Sequence, residues 1–169
     1  MLRIRTASAP DVPTVLALIR ELAAYEREPD AVEATEDDLL RDGFGDAPRF
    51  HVLLAEDVTD GEACAVGFAL YFFAYSTWRG RASLHLEDLF VTPEARGRGV
   101  GRALMASLAA QAERQDCPRF EWQVLDWNTP AIGFYERLGA EVRRPWLNVR
   151  LEGLALAALA GEAPPRELC

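Results

Sequence analysis

The chain has 169 residues, a formal net charge of −9, and hydrophobic residues at 50% of its positions. This length and composition predict one domain over residues 1–169 with a sizeable core, and the negative charge argues against nucleic acid, whose binding favours a basic face. No apolar run approaches the roughly 18 residues of a membrane span, no secretory signal core opens the chain, and the three cysteines are scattered; together these features favour a cytoplasmic protein with reduced thiols.

The first part of the chain predicts one strand followed by two helices. Residues 2–6 alternate between apolar and polar, as in a strand. Ser-Ala-Pro at residues 8–10 marks a helix start, and apolar spacing from Val12 predicts a helix that ends near Tyr25. Thr35, followed by acidic residues, predicts a second short helix whose first turn suits the helix dipole.

The middle of the chain predicts three strands and a long helix. The strands cover residues 50–56, 63–75 and 83–91. Asp60-Gly61, between the first two, is a hairpin signal. Residues 99–115 then carry apolar side chains at helical spacing.

The last part predicts a strand over residues 119–126, a helix capped by Thr129 and closed by Gly139, and a final strand over 146–151. A short helix over 153–160 and a loose tail over 161–169 complete the chain. The whole order predicts an α/β (α+β) fold, with a mixed sheet and helices on both faces.

The strongest functional signal is Arg96-Gly-Arg-Gly-Val-Gly101, between the central strand and the long helix. A glycine-rich turn entering a helix presents free backbone N–H groups at the positive end of the helix dipole, so it predicts a phosphate or pyrophosphate site. A Walker loop requires lysine, which this chain lacks, and a dinucleotide fingerprint requires glycine where Arg102 stands.

The loop spacing over residues 96–101 resembles the Arg/Gln-x-x-Gly-x-Gly/Ala pattern of the GNAT acetyltransferases, and residues 128–139 resemble their second signature. Further segments, including Leu86–Val91, resemble the spermidine/spermine and thialysine N-acetyltransferase group. The resemblance covers roughly residues 3–151. It implies a mixed, mostly antiparallel sheet with a splayed strand pair that holds acetyl-CoA. It also implies a metal-free homodimer that acetylates a primary amine of a small cationic substrate, either a polyamine (diamine) or a thialysine-like amino acid, in a ternary complex.

The resemblance also implies roles for matching residues. Tyr135 would protonate the leaving thiolate, and Glu87 would bind the amine and take its proton. The coenzyme would contact Leu89, Phe90, Val91, Arg96, Gly97, Arg98, Gly99, Val100, Gly101, Arg102, Asn128, Thr129, Pro130, Ala131 and Arg137. The amine pocket would be lined by Tyr25, Glu26, Glu87, Trp122 and Gln123.

Acid–base chemistry supports these residue types. A protonated amine has no free lone pair, so a carboxylate must take its proton before the amine attacks a thioester. Glu87 and Asp88 interrupt an otherwise apolar strand, and strict alternation predicts that they point to opposite faces, which leaves a structural role open for one of them.

The segment after Gly139 departs from the polyamine enzymes, which carry serine and glutamate there. This chain has Arg143 and Arg144, which favour a lysine-like amino acid whose carboxylate an arginine binds, although solvent-facing arginines are an equal interpretation. Two other functions stay open: a protein or peptide N-acetyltransferase, and a non-catalytic acetyl-CoA-binding module. The presence of both Glu87 and Tyr135 argues against the second.

Overall fold

A computed structural model describes residues 1–143 and 147–164 of the chain. Its contacts divide these residues into two compact units, which are described separately. The first covers residues 1–123 and the second begins at residue 124. That residues 1–169 form a single domain stays a prediction.

The first unit is built on a five-stranded sheet whose spatial order follows the chain. Its strands are β1 (Leu2–Thr6), β2 (His51–Thr59), β3 (Glu62–Ser76), β4 (Arg81–Val91) and β5 (Phe120–Trp122). Strands β1 to β4 pair antiparallel with one another, and β5 runs parallel to β4. The prediction of a mixed, mostly antiparallel sheet is therefore confirmed.

The predicted hairpin between β2 and β3 is also confirmed. Asp60 and Gly61 form its tip with φ angles of 52° and 87°. Positive φ at both central residues is what a type I′ hairpin turn requires, and Asp-Gly adopts it at little steric cost.

The helices of the first unit are α1 (Val12–Tyr25), α2 (Glu36–Gly43) and α3 (Val100–Arg114). Before α1 the chain makes a short 3-10 turn over Ala9–Asp11, where the Asp11 carboxylate accepts hydrogen bonds from the Ser8 backbone and hydroxyl. Thr35 caps α2 as predicted, accepting a bond from the Asp38 N–H at 3.2 Å.

The core lies on both faces of the sheet. Phe68 and Leu70 of β3 pack in one buried cluster with the apolar face of α1, including Val15. Ala69, between them, is directed to the opposite face, and α3 contacts all four antiparallel strands through a face that includes the fully buried Leu104. Helices on both faces are thus confirmed.

The second unit contains α4 (Thr129–Arg137) and α5 (Gly153–Gly161). The prediction that Thr129 caps α4 is wrong by one residue: Asn128 is the cap, and its Oδ1 accepts a hydrogen bond from Ala131 N at 3.3 Å. The chain leaves α4 through Gly139, whose φ is 92°. Within the described ranges, no helix has the length and apolar character needed to cross a membrane.

Two strand predictions are corrected. The strand expected over residues 119–126 is only β5, because its ladder with β4 ends at the pair Leu86–Trp122. The strand expected over 146–151 is wrong for residues 147–151; Trp146 lies outside the described residues. Leu147 and Val149 are 86% and 94% exposed, and the described residues of the second unit provide no strand against which this alternating segment pairs.

Candidate active site

The glycine loop has the hydrogen-bonding pattern of an anion site. The backbone N–H groups of residues 97–102 donate to no carbonyl or side-chain oxygen of the described residues. Gly97 and Gly99 have φ angles of 74° and 83°, and a side chain at either position would be strained even though the surrounding space is open. Consecutive N–H groups without an acceptor among the described residues, at the start of α3, are suited to bind phosphate oxygens.

The arginine side chains of this loop are engaged in different ways. Arg98 forms a salt bridge of 2.5 Å with Asp57 of β2. The Nε of Arg96 donates to the Val91 carbonyl at 3.0 Å. Arg102 is exposed and forms no salt bridge or hydrogen bond with the described residues. Arg102 is consequently the loop arginine with its charge available to an anion.

Beyond Leu86, the end of β4 has no partner strand on its β5 side among residues 1–123. Within residues 1–123, β5 bonds to β4 only from Leu84 to Leu86, whereas β4 continues to Val91 alongside β3. Leu89, Phe90 and Val91, which the sequence assigned to the coenzyme, therefore lie beyond the last β5 pair. The Val91 carbonyl accepts a hydrogen bond from Arg96 Nε at 3.0 Å, and the contact of these three residues with the coenzyme stays a prediction.

A bulge in β4 lies at the predicted catalytic carboxylate. Leu86 is opposite Tyr71 and Asp88 is opposite Leu70, so Glu87 is an additional residue with no partner on β3. Strict alternation does not apply across this bulge, so the placement of Glu87 and Asp88 on opposite faces stays a prediction. Bulges of this kind re-aim side chains and are frequent beside active sites.

The charges of Glu87 and Glu26 act on the Asp88 carboxylate at this bulge. Burial, together with the charges of Glu87 and Glu26, raises the pKa of Asp88 from 3.8 to about 6. Burial also raises the pKa of Glu26. Glu87 is more open, with 57% of its side chain exposed, and its Oε2 lies 3.8 Å from Nε2 of His85. The site therefore concentrates negative charge that a bound ammonium group would neutralise.

Sequence reasoning left a structural role open for one of Glu87 and Asp88 and did not single out His85. The signal for Asp88 was the adjacent Glu-Asp pair in an apolar strand. His85 stands two residues before Glu87 in the same strand, and strand alternation, which places such residues on one face, was the signal that could have located it beside Glu87.

The remaining predicted pocket residues of the first unit surround β4. The ring of Tyr25 lies 4.6 Å from the Arg96 guanidinium carbon. Trp122 is paired with Leu86, immediately before the bulge, and its ring is 4.8 Å from that of Phe120. Gln123, the last residue of the unit, is exposed.

The second unit carries the other predicted residues. Asn128 and Tyr135 are buried, with 7% and 8% exposure, while Thr129 and Pro130 are exposed at the start of α4. Tyr135 packs against Phe134 at 5.2 Å between ring centroids. Ala131 supplies the N–H that Asn128 caps. The Arg137 guanidinium lies along α4 beside Gly133, where a Cβ would stand 3.4 Å from it.

Arg143 is exposed, and Arg144 lies outside the described residues. Within the described ranges, no group of three or more His, Cys, Asp or Glu side chains is arranged to hold a metal ion.

The sequence of this chain is similar to those of known acetyltransferases. Residues 15–140 match the family model described as "Acetyltransferase (GNAT) family". A thialysine N-epsilon-acetyltransferase of Sus scrofa is 43% identical, over 94% of this chain and 97% of its own length. A human spermidine/spermine N(1)-acetyltransferase-like protein is 44% identical over 82% of this chain, but over only 20% of its own length.

The fold has similar solved structures. An integron cassette protein from the mobile metagenome of V. cholerae superposes with a TM-score of 0.76 and 29% identity, covering 94% of this chain and 97% of that one. An aminoglycoside acetyltransferase from a soil metagenome, solved with trehalose, has a TM-score of 0.73 at 18% identity, a likeness of fold alone.

Proposed function

The chain belongs to the GNAT family of acetyltransferases, and we propose that it transfers the acetyl group of acetyl-CoA to a primary amine of a small cationic substrate, in a ternary complex without an acyl-enzyme. The family fixes the general activity, N-acetyl transfer. The carboxylate cluster around the bulge at Glu87 is the observation that carries the choice of a cationic amine.

The residues present fit the coenzyme. The unpaired N–H groups of residues 97–102 and the charge of Arg102 would hold the pyrophosphate. The β5 side of β4 after Leu86 offers backbone groups to the amide-bearing arm, and an N–H there would stabilise the developing oxyanion. Bound acetyl-CoA supplies the thioester carbonyl that the amine attacks.

Deprotonation of the amine is the step for which the first unit is best equipped. A base is most effective when its pKa lies near the working pH, and the pKa of Asp88 at about 6 meets that condition. Glu87, being more exposed, would attract the ammonium group and pass its proton on directly or through water. Asp88 thereby joins Glu87 as a candidate base.

Tyr135 is proposed as the acid that protonates the leaving thiolate. Its burial at 8% exposure limits access of water to the hydroxyl. Thiolate is already a fair leaving group, so the contribution would fall near the low end of the about 10²–10⁴-fold typical for general acid catalysis.

A thialysine-like amino acid is the preferred substrate class. The matches to relatives named for thialysine acetylation span nearly the whole of this chain and almost the whole length of those relatives. Arg143, exposed in the second unit, would favour a carboxylate on the substrate, whereas a polyamine would place an additional ammonium near it.

A coupled free-thiol assay across thialysine, lysine, spermidine, spermine and a peptide panel tests the proposal. We expect turnover with small amines, highest for thialysine, and loss of activity in Glu87→Gln and Asp88→Asn. Asp46→Asn, at an exposed position of the α2–β2 loop, is the matched control. Turnover confined to peptides would contradict the proposal, as would full activity in both carboxylate variants.

A further inference from the structure

Arg96 lies in the glycine loop, yet its side chain is directed toward the opposite part of the site. Its Nε donates to the carbonyl of Val91 at 3.0 Å. Its guanidinium carbon is 4.6 Å from the ring centroid of Tyr25 and 5.8 Å from that of Phe90. These distances correspond to cation–π contacts, so the side chain joins the end of β4 to the end of α1.

The end of α1 leads into a segment without regular secondary structure. Tyr25 is 36% exposed, and the next residues, 27–35, contain no helix or strand. Arg27 has a φ of 69°, in the left-handed region that favours glycine, so the backbone leaves α1 under strain. A contact with the Tyr25 ring therefore acts at the point where the helix ends and this segment begins.

Glu26 is the next residue, and its position matters for the amine. Its backbone N–H bonds to the Leu22 carbonyl at 2.9 Å, and its charge acts on Asp88. Because Tyr25 and Glu26 are adjacent, holding the Tyr25 ring in place also holds the Glu26 carboxylate relative to β4.

We propose that Arg96 is a positioning residue that couples the coenzyme loop to the amine pocket, by holding Tyr25 and Glu26 in place when the loop is ordered. This inference rests on the proposed function and extends it to the order of binding. The coenzyme, by ordering residues 96–102, strengthens the Arg96–Tyr25 contact and thereby improves the amine site. By linkage, the amine improves coenzyme binding by the same factor.

Arg96→Gln tests the proposal because glutamine keeps an N–H donor for the Val91 carbonyl and loses the cation. At saturating acetyl-CoA we expect the KM for the amine to rise about three- to tenfold, the range of a partly desolvated cation–π contact, with little change in the Kd of acetyl-CoA measured without amine. Tyr25→Leu should act in the same direction, and the double variant should add little, since both changes remove one interaction. Arg96→Lys keeps a cation over the ring and should recover most of the loss.

Arg20→Gln is the control, since Arg20 is an exposed arginine of α1 and its replacement removes the same charge. A rise in the KM for acetyl-CoA with an unchanged amine KM in Arg96→Gln would overturn the proposal and make Arg96 a phosphate ligand. Additive effects in the double variant would also overturn it.

A second measurement requires no amine turnover. Acetyl-CoA should slow hydrogen exchange of the amides of residues 26–31 in the parent protein and not in Arg96→Gln. Equal protection in both proteins would refute the coupling. If instead no amine is acetylated by the parent while this protection is present, the proposed function fails and the coupling stands.

Discussion

Replacing Asp88 with asparagine should stabilise the protein at neutral pH while it reduces activity. In the folded protein, burial and the charges of Glu87 and Glu26 favour the protonated form of Asp88, whose pKa is about 6 instead of 3.8. The neutral acid is therefore compatible with folding, and the charged form is costly. Asparagine is close in size and has no charge to bury.

The sign and size of the effect follow from linkage. Below pH 3.8 the carboxyl is protonated in both folded and unfolded chains, so its favourable contribution is fully present. As pH rises through about 6 this contribution is lost, because the unfolded chain releases the proton more readily. A shift of roughly two pKa units corresponds to about 3 kcal/mol at most. The free energy of unfolding of Asp88→Asn relative to the parent should thus increase by up to about 3 kcal/mol between pH 4 and pH 7.5.

Urea unfolding at pH 4, 5, 6 and 7.5 measures this difference, with Asp46→Asn as the exposed control, for which the difference should stay flat. In the parent, kcat/KM should fall as the pH drops below about 6, where Asp88 becomes protonated. In the Asp88 variant this fall should be absent. A variant whose stability relative to the parent does not change with pH would refute the raised pKa of Asp88. Full activity would remove Asp88 from the list of candidate bases.

Four further predictions address the coenzyme, the acid, the substrate and assembly. Acetyl-CoA should raise the melting temperature of the parent but not of Gly99→Glu, whose carboxylate would occupy the phosphate site; an equal shift in the variant would contradict the loop assignment. Tyr135→Phe should lower kcat by about 10²-fold with little change in acetyl-CoA binding, and parental activity at every pH would make this residue one of packing only. The parent should have a higher kcat/KM for thialysine than for spermidine, and replacing both Arg143 and Arg144 with glutamate should shift the ratio toward spermidine; an unchanged ratio would show that these arginines do not select the substrate. Light scattering at micromolar concentration should give the mass of a two-fold dimer, as α5 exposes apolar side chains; a monomeric mass would refute this.

The parts of the fold that sequence predicted well are those in which a local rule decides the outcome. Apolar spacing defined α1 and α3, and the Asp60-Gly61 turn fixed the β2–β3 hairpin. The glycine loop was likewise readable, because positive φ and free N–H groups depend on a few adjacent residues.

The parts that were missed depend on contacts with distant residues. The length of β5 is set by where its ladder with β4 ends, and alternation in residues 147–151 predicted a strand that has no partner among the described residues. The register shift opposite Leu70 and Tyr71 places Glu87 and Asp88, and it cannot be derived from either strand alone. The engagement of Arg96 with Tyr25 depends on residues about 70 positions apart, which no motif connects.

The short length of β5 has a consequence for the unliganded protein. The β4–β5 ladder ends at the pair Leu86–Trp122, and β4 continues to Val91 with an edge that no strand of residues 1–123 covers. A strand edge without a partner strand in its own unit can pair with an extended segment rich in amide groups, including the same segment of another molecule. If the coenzyme arm lies along this edge, it also prevents the edge from pairing with another molecule. The coenzyme concentration would then affect the solubility of the protein as well as its turnover. Protein freed of coenzyme should aggregate sooner than protein with coenzyme bound.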